Sequence, residues 1–146
     1  MIFTYAYPRP AVTVDIIVIQ RNKTNLKILL IQRKQEPFKD QWALPGGFVD
    51  IDEEIEVAAY RELKEETSIN EINLKQFQTF GKLGRDPRGR TISIVYSGEL
   101  KTFNQAIMAG DDAKDLNWFP VSKLPKLAFD HQEIIELFLS KKRALE

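Results

Sequence analysis

The sequence predicts an α/β protein, strands and helices mixed in one unit. Three observations carry this. Runs rich in valine and isoleucine, A-V-T-V-D-I-I-V-I-Q and L-K-I-L-L-I-Q, read as strands, the first buried on both faces. Two stretches, opening near Glu53 and at Asp130, read as helices. Proline- and glycine-containing breaks separate these runs, with no internal repeat, low-complexity segment or linker. All 146 residues are therefore read as one domain, 1–146.

The elements follow in order. The first ten residues hold two prolines and run extended, since proline disfavours helix in the residue before it. Strands at 11–20 and 26–32, joined by the polar turn 21–25, suggest a hairpin. Residues 34–42 form a loop broken by Pro37, and Pro45-Gly46-Gly47 is a turn signal. A helix spans about 53–67. Further strands lie at 74–80, 91–100 and 115–119, the last ended by Pro120. Between the first two of these, 81–90 is a glycine-and-arginine loop. Asp130, with Glu133 three residues on, resembles a capping box that starts the last helix.

Composition excludes several classes. Twenty-one Lys and Arg balance twenty-one Asp and Glu, so no global field draws the chain to nucleic acid or membrane. No apolar run approaches the roughly 20 residues of a membrane span. There is no cysteine, which removes disulfides and zinc–thiolate sites. The start lacks a charged region followed by an apolar one, so no secretory signal is expected and a cytoplasmic location is.

The chemistry is concentrated between Gly47 and Ile69. Glu62, Glu65 and Glu66 stand three and four residues apart, so they share one helix face. At about 100° per residue they fall on the arc of Ile55, Ala58 and Ala59, facing the protein body. Ionised carboxylates there are costly unless paired or bound to metal. Three of them point to a hard divalent cation such as Mg²⁺, which prefers oxygen ligands and keeps several waters.

These residues resemble the signature of the Nudix family, G-x5-E-x7-R-E-U-x-E-E-x-G-U with U a bulky aliphatic. Gly47, Glu53, Arg61, Glu62, Leu63, Glu65, Glu66 and Ile69 all fall at the required spacings. Ser68 alone departs, where the signature has glycine. A glycine after a helix supplies a left-handed turn, and another residue there costs about 1–2 kcal/mol. The resemblance implies a Nudix-type α/β/α sandwich with a mixed sheet and the signature as loop–helix–loop. It also implies a pyrophosphatase that uses Mg²⁺ (or Mn²⁺) to cleave a nucleoside diphosphate linked to a further group. In it, Glu62, Glu65, Glu66 and Arg61 are the catalytic set, with Arg61 pairing and orienting Glu53. Glu53, Glu62, Glu65, Glu66 and, through its backbone, Gly46 are the metal set.

The second informative stretch is G-R-D-P-R-G-R-T at 84–91. Arg85, Arg88 and Arg90, stiffened by Pro87 and freed by two glycines, suit a phosphate-gripping loop, because the guanidinium fork matches phosphate oxygens. Gly46 and Gly47 allow positive φ and close backbone approach beside the diphosphate or metal. Arg33 either reaches substrate or serves as a surface cation, and Trp42 and Phe48 either stack on a base or ribose or pack in the core. With W-F-P and L-A-F-D-H downstream, this loop is similar to ADP-ribose pyrophosphatases and to the Nudix domains of bacterial NAD-metabolism regulators. The favoured substrate is ADP-ribose, split to AMP and ribose 5-phosphate. The alternatives are a nucleoside triphosphate, a sugar nucleotide, or non-catalytic ADP-ribose sensing. Asp111 or Asp112 is a candidate general base, with turn formation as the plainer role. His131 is read as structural. Those regulators carry a winged-helix domain, for which the residues after the last helix leave no room. The expected partner is therefore a small-molecule nucleotide, not nucleic acid or membrane, and the apolar N-terminal segment is a candidate homodimer contact.

Overall fold

The computed structural model describes residues 2–145 except 24, 102–106, 108, 111 and 112. Seven strands, β1 (Ala11–Arg21), β2 (Leu26–Arg33), β3 (Trp42–Ala43), β4 (Gly46–Phe48), β5 (Lys75–Phe80), β6 (Thr91–Glu99) and β7 (Ala113–Pro120), form one mixed sheet. Its path runs β3-β2-β1-β6-β5, with β4 on β1 and β7 on β2. Among the described residues two helices cover it, α1 (Ile55–Thr67) and α2 (His131–Ala144). Neither is long and apolar enough to cross a membrane.

β1 is the axis of the molecule. It runs parallel to β6 from Ala11↔Thr91 to Ile19↔Glu99. Its other edge is shared: the first half pairs antiparallel with β4, the second half with β2. Strand side chains alternate between faces. Val14, Ile16 and Val18 therefore pack with Ala58, Ala59 and Leu63 of α1, while Ile17 and Ile19 pack with Ile134, Ile135 and Phe138 of α2. Full burial of each such isoleucine or leucine contributes about 1.5–3 kcal/mol. The strand is buried on both faces, as the apolar run at 11–20 implied, and its place between two helices makes the α/β/α sandwich that the resemblance implied.

Local expectations fare unevenly. Residues 46–48 are not a turn but the short strand β4, because pairing with β1 holds them extended. Ser68 does take the left-handed conformation, φ 66°, and its N–H donates to the Lys64 carbonyl, so serine preserves the turn at the end of α1. The capping box at α2 does not form: Asp130 makes no cap bond. Its carboxylate is taken by Arg85 instead. Trp42 packs against the core, edge-on to Phe119 at 4.7 Å, and is not among the residues lining the cleft described below.

Candidate active site

The acidic wall is built by α1 and the segment before it. Arg61 is its hub. The guanidinium donates through Nε (2.6 Å) and Nη2 (2.9 Å) to Glu53, and through Nη1 to Glu62 (2.9 Å) and Glu65 (3.2 Å). Nη2 also donates to the Phe48 carbonyl at 3.1 Å, tying α1 to the end of β4. The bond from Arg61 holds the Glu53 carboxyl below the usual carboxylate range. Burial pushes Glu62 up, against the opposing pull of Arg61. The three-carboxylate face of the sequence reading is corrected in one respect. The Glu62 side chain is 13% exposed and Glu66 is buried, but the Glu65 side chain is 58% exposed. Glu65 lies at the edge of the arc, and the buried face is centred on Ala59, Leu63 and Glu66.

The two glycines let this wall close on the sheet. Neither has positive φ, contrary to expectation; both are needed for close approach. A Cβ on Gly46 would collide with the Val14 carbonyl oxygen and stand 2.6 Å from Asp15 Oδ1. A Cβ on Gly47 would stand 2.5 Å from the Glu62 carboxylate. The Gly46 N–H donates to Glu66 Oε2 at 3.2 Å.

Beside this wall opens a cleft of about 240 Å³, lined by Gly46, Gly47, Phe48, Glu66, Arg33 and Arg88 among others. Arg33 donates through Nε to the Pro37 carbonyl at 2.7 Å, and its guanidinium lies 4.9 Å from the Phe129 ring centre. Arg88 donates through Nε and Nη2 to Asp86 and lies 4.9 Å from the Phe48 ring centre and 5.4 Å from that of Phe129. Arg85 also lines the cleft, but its Nε and Nη2 form a bidentate pair with Asp130 at 2.9 and 2.7 Å. It buckles the 81–90 loop to the start of α2 more than it offers a fork to phosphate. Arg90 is not among the residues lining the cleft; its Nη1 donates to the Gly81 carbonyl at 2.7 Å. Asp111 and Asp112 lie outside the described residues.

Sequence reasoning missed the floor. Asp15 Oδ2 accepts from Ser93 Oγ at 2.5 Å, and its Oδ1 faces His131 Nε2 at 3.6 Å. His131 Nδ1 accepts the Leu44 N–H at 3.0 Å, which places the ring proton on Nε2, toward Asp15. Burial pushes His131 below the usual histidine range, so it stays neutral. The signal was visible in part: the acid in the middle of V-T-V-D-I-I-V-I is the only charge in a strand that is otherwise apolar apart from Thr13. Phe129, whose ring both Arg33 and Arg88 approach, enters the sequence reading only within the L-A-F-D-H stretch, with no role of its own.

The donor set suits a hard cation. The carboxylate oxygens of Glu62 and Glu66 flank Gly46 and Gly47, and oxygen is what Mg²⁺ and Mn²⁺ take. Among the described residues, no three acidic, histidine or cysteine side chains converge into a closed cage. Mg²⁺ needs none, since it binds through one or two carboxylates and keeps its waters.

A two-helix sandwich with an acidic helix face at the edge of an arginine-bearing cleft defines a Nudix hydrolase. The NUDIX domain pattern matches residues 9–138, and the chain belongs to that family. Among its relatives, the ADP-ribose pyrophosphatase of Methanocaldococcus jannaschii is 46% identical over 138 residues, covering 91% of this chain and 75% of the relative. The NUDIX domain of Shewanella oneidensis NrtR, solved with ADP ribose, superposes with a TM-score of 0.85 at 33% identity, over 93% of this chain and 90% of that one. A bifunctional NMN adenylyltransferase/ADP ribose pyrophosphatase of Francisella tularensis, solved with AMP and a manganese ion, superposes with a TM-score of 0.79 at 37% identity. That match covers 94% of this chain and 43% of the other.

Proposed function

We propose that this Nudix hydrolase splits the diphosphate of ADP-ribose, giving AMP and ribose 5-phosphate, with Mg²⁺ or Mn²⁺ held by Glu62 and Glu66. One observation carries the reading: carboxylates and guanidiniums line a single cleft, Glu66 together with Arg33 and Arg88. A diphosphate linked to two riboses needs both, cations for its oxygens and carboxylates for the metal.

The cation, when bound, supplies charge neutralisation at the phosphates and acidity for the attacking water. Arg33 and Arg88 hold phosphate oxygens. Arg61 keeps Glu53 ionised and fixes the Glu62 carboxylate beside Gly47. Phe48, half exposed at the mouth, offers a flat face to base or ribose. The water oxygen bonds to one phosphorus as the anhydride P–O bond breaks. The bridging oxygen leaves on the other phosphate, and the water proton is released to a carboxylate or to solvent.

Purified protein with Mg²⁺ or Mn²⁺ and ADP-ribose should release AMP, and a panel of nucleoside triphosphates and sugar nucleotides should react more slowly. No AMP with any divalent metal would sink the reading. A second reading has its own support: the NrtR domain that superposes so well was solved with ADP ribose. Binding of ADP-ribose without turnover in the same assay would select that sensing role.

A further inference from the structure

We propose that Phe129 is a positioning residue that spaces the Arg33 and Arg88 guanidiniums so that each can grip one phosphate of a nucleoside diphosphate. The inference rests on the cleft's reading as a diphosphate site, and it concerns what makes that site prefer two phosphates over one.

The geometry starts with an unusual backbone. Phe129 has φ 52°, a left-handed conformation that a bulky residue keeps only where its surroundings over-determine it. They do so here. Asp130, the next residue, is locked by the bidentate pair to buried Arg85. The Phe38 ring lies 4.8 Å away and the His131 ring 5.4 Å away. The result is a ring within 5.4 Å of both guanidinium carbons.

The two arginines are poised differently from ordinary surface cations. Both face one aromatic ring, and the ring's negative π-face attracts each. Arg33 commits only Nε to protein, and Arg88 commits Nε and Nη2. Among the described residues, Arg33 Nη1 and Nη2 and Arg88 Nη1 have no hydrogen-bond partner, so donors from both remain for a ligand. No described carboxylate forms an ion pair with Arg33. Burial first, and then the nearby Arg88 charge, lowers Arg33 from its ordinary value. Two like charges held against one ring are relieved by a ligand carrying two anionic groups. Phe129 fills the position that keeps them from splaying apart.

The test is calorimetric titration with ADP and with AMP, in metal-free buffer, on wild type, Phe129→Met and Phe129→Tyr. Wild type should prefer ADP. Methionine keeps bulk but removes the π-face, and should narrow the ADP:AMP affinity ratio by about tenfold, on the scale of a desolvated cation–π contact. Tyrosine keeps the face and should restore the ratio to within about twofold. A merely structural role would weaken both ligands alike and leave the ratio unchanged; that outcome, or a wild type without preference for ADP, overturns the proposal. If Phe129→Met does not fold, Arg33→Lys decides. Lysine lacks the flat fork and should narrow the ratio likewise, and an unchanged ratio there is equally contrary. Absence of ADP-ribose turnover in wild type would remove the hydrolase reading while leaving the ratio test intact.

Discussion

The acidic wall of the cleft comes mainly from thirteen consecutive residues of α1, whereas the basic wall is assembled from Arg33, Arg88 and Phe129, which three distant segments contribute. In the first, regular helical spacing does the positioning. Arg61 sits one residue from Glu62 and four from Glu65, and its guanidinium holds both. In the second, nothing regular aligns the groups. The Arg85–Asp130 pair, the left-handed Phe129 and the Asp86–Arg88 bonds together hold the place where both arginines meet the Phe129 ring. The comparison teaches that one wall is local and tolerant, and the other is long-range and depends on the fold being complete.

Three substitutions sharpen this contrast. The largest effect is expected at the acidic wall and on chemistry alone. Glu66→Gln should lower kcat/KM for ADP-ribose by about a thousandfold, the scale of losing several kcal/mol of transition-state charge stabilisation. Its thermal melt should remain near wild type; retained turnover would break the ligand assignment.

The next effect is on stability, at the basic wall. The Arg85 and Asp130 side chains are 3% and 11% exposed. Asp130→Ala leaves Arg85 buried and unpaired, so urea denaturation should show a loss of about 3 kcal/mol. A loss well below about 1 kcal/mol, the worth of a surface pair, would show that the buckle is not structural.

The smallest effect lies in the floor between the walls. His131 is neutral when folded, its proton affinity lowered by burial and partly restored by Asp15 and Asp130, with Arg85 and Arg33 opposing. As pH falls below the ordinary histidine value of about 6.5, the unfolded chain binds a proton that the folded protein refuses. Stability should therefore be full above that pH and decline below it. In His131→Asn, the decline between pH 7 and 5 should be shallower, by at most about 1.4 kcal/mol per pH unit. Equal slopes in the two proteins would contradict a neutral His131.

What the sequence made legible follows the same division. The doubly buried strand could be read because seven of the ten residues at 11–20 are apolar and Asp15 is the only charge among them, and a strand so composed must be covered on both faces. The α1 carboxylates could be read because Glu62, Glu65 and Glu66 are neighbours along the helix. Burial, however, separates Glu62 and Glu66 from exposed Glu65, which spacing alone does not predict. The arginine loop could be seen but not sorted. Arg85, Arg88 and Arg90 look alike in sequence, and only the third dimension sends one to Asp130, one to the cleft and one to the Gly81 carbonyl. Asp15, Ser93 and His131 meet because β1 and β6 run in parallel register while α2 begins above them, a contact no local pattern carries.

The most direct test of the central claim is manganese binding, followed by electron paramagnetic resonance, in wild type and in the Glu62→Gln/Glu66→Gln double variant. The account predicts metal uptake by wild type in the presence of ADP and its loss in the double variant. The variant's metal-free affinity for ADP, set by Arg33 and Arg88, should hardly change. Equal manganese affinity in the two proteins would contradict it.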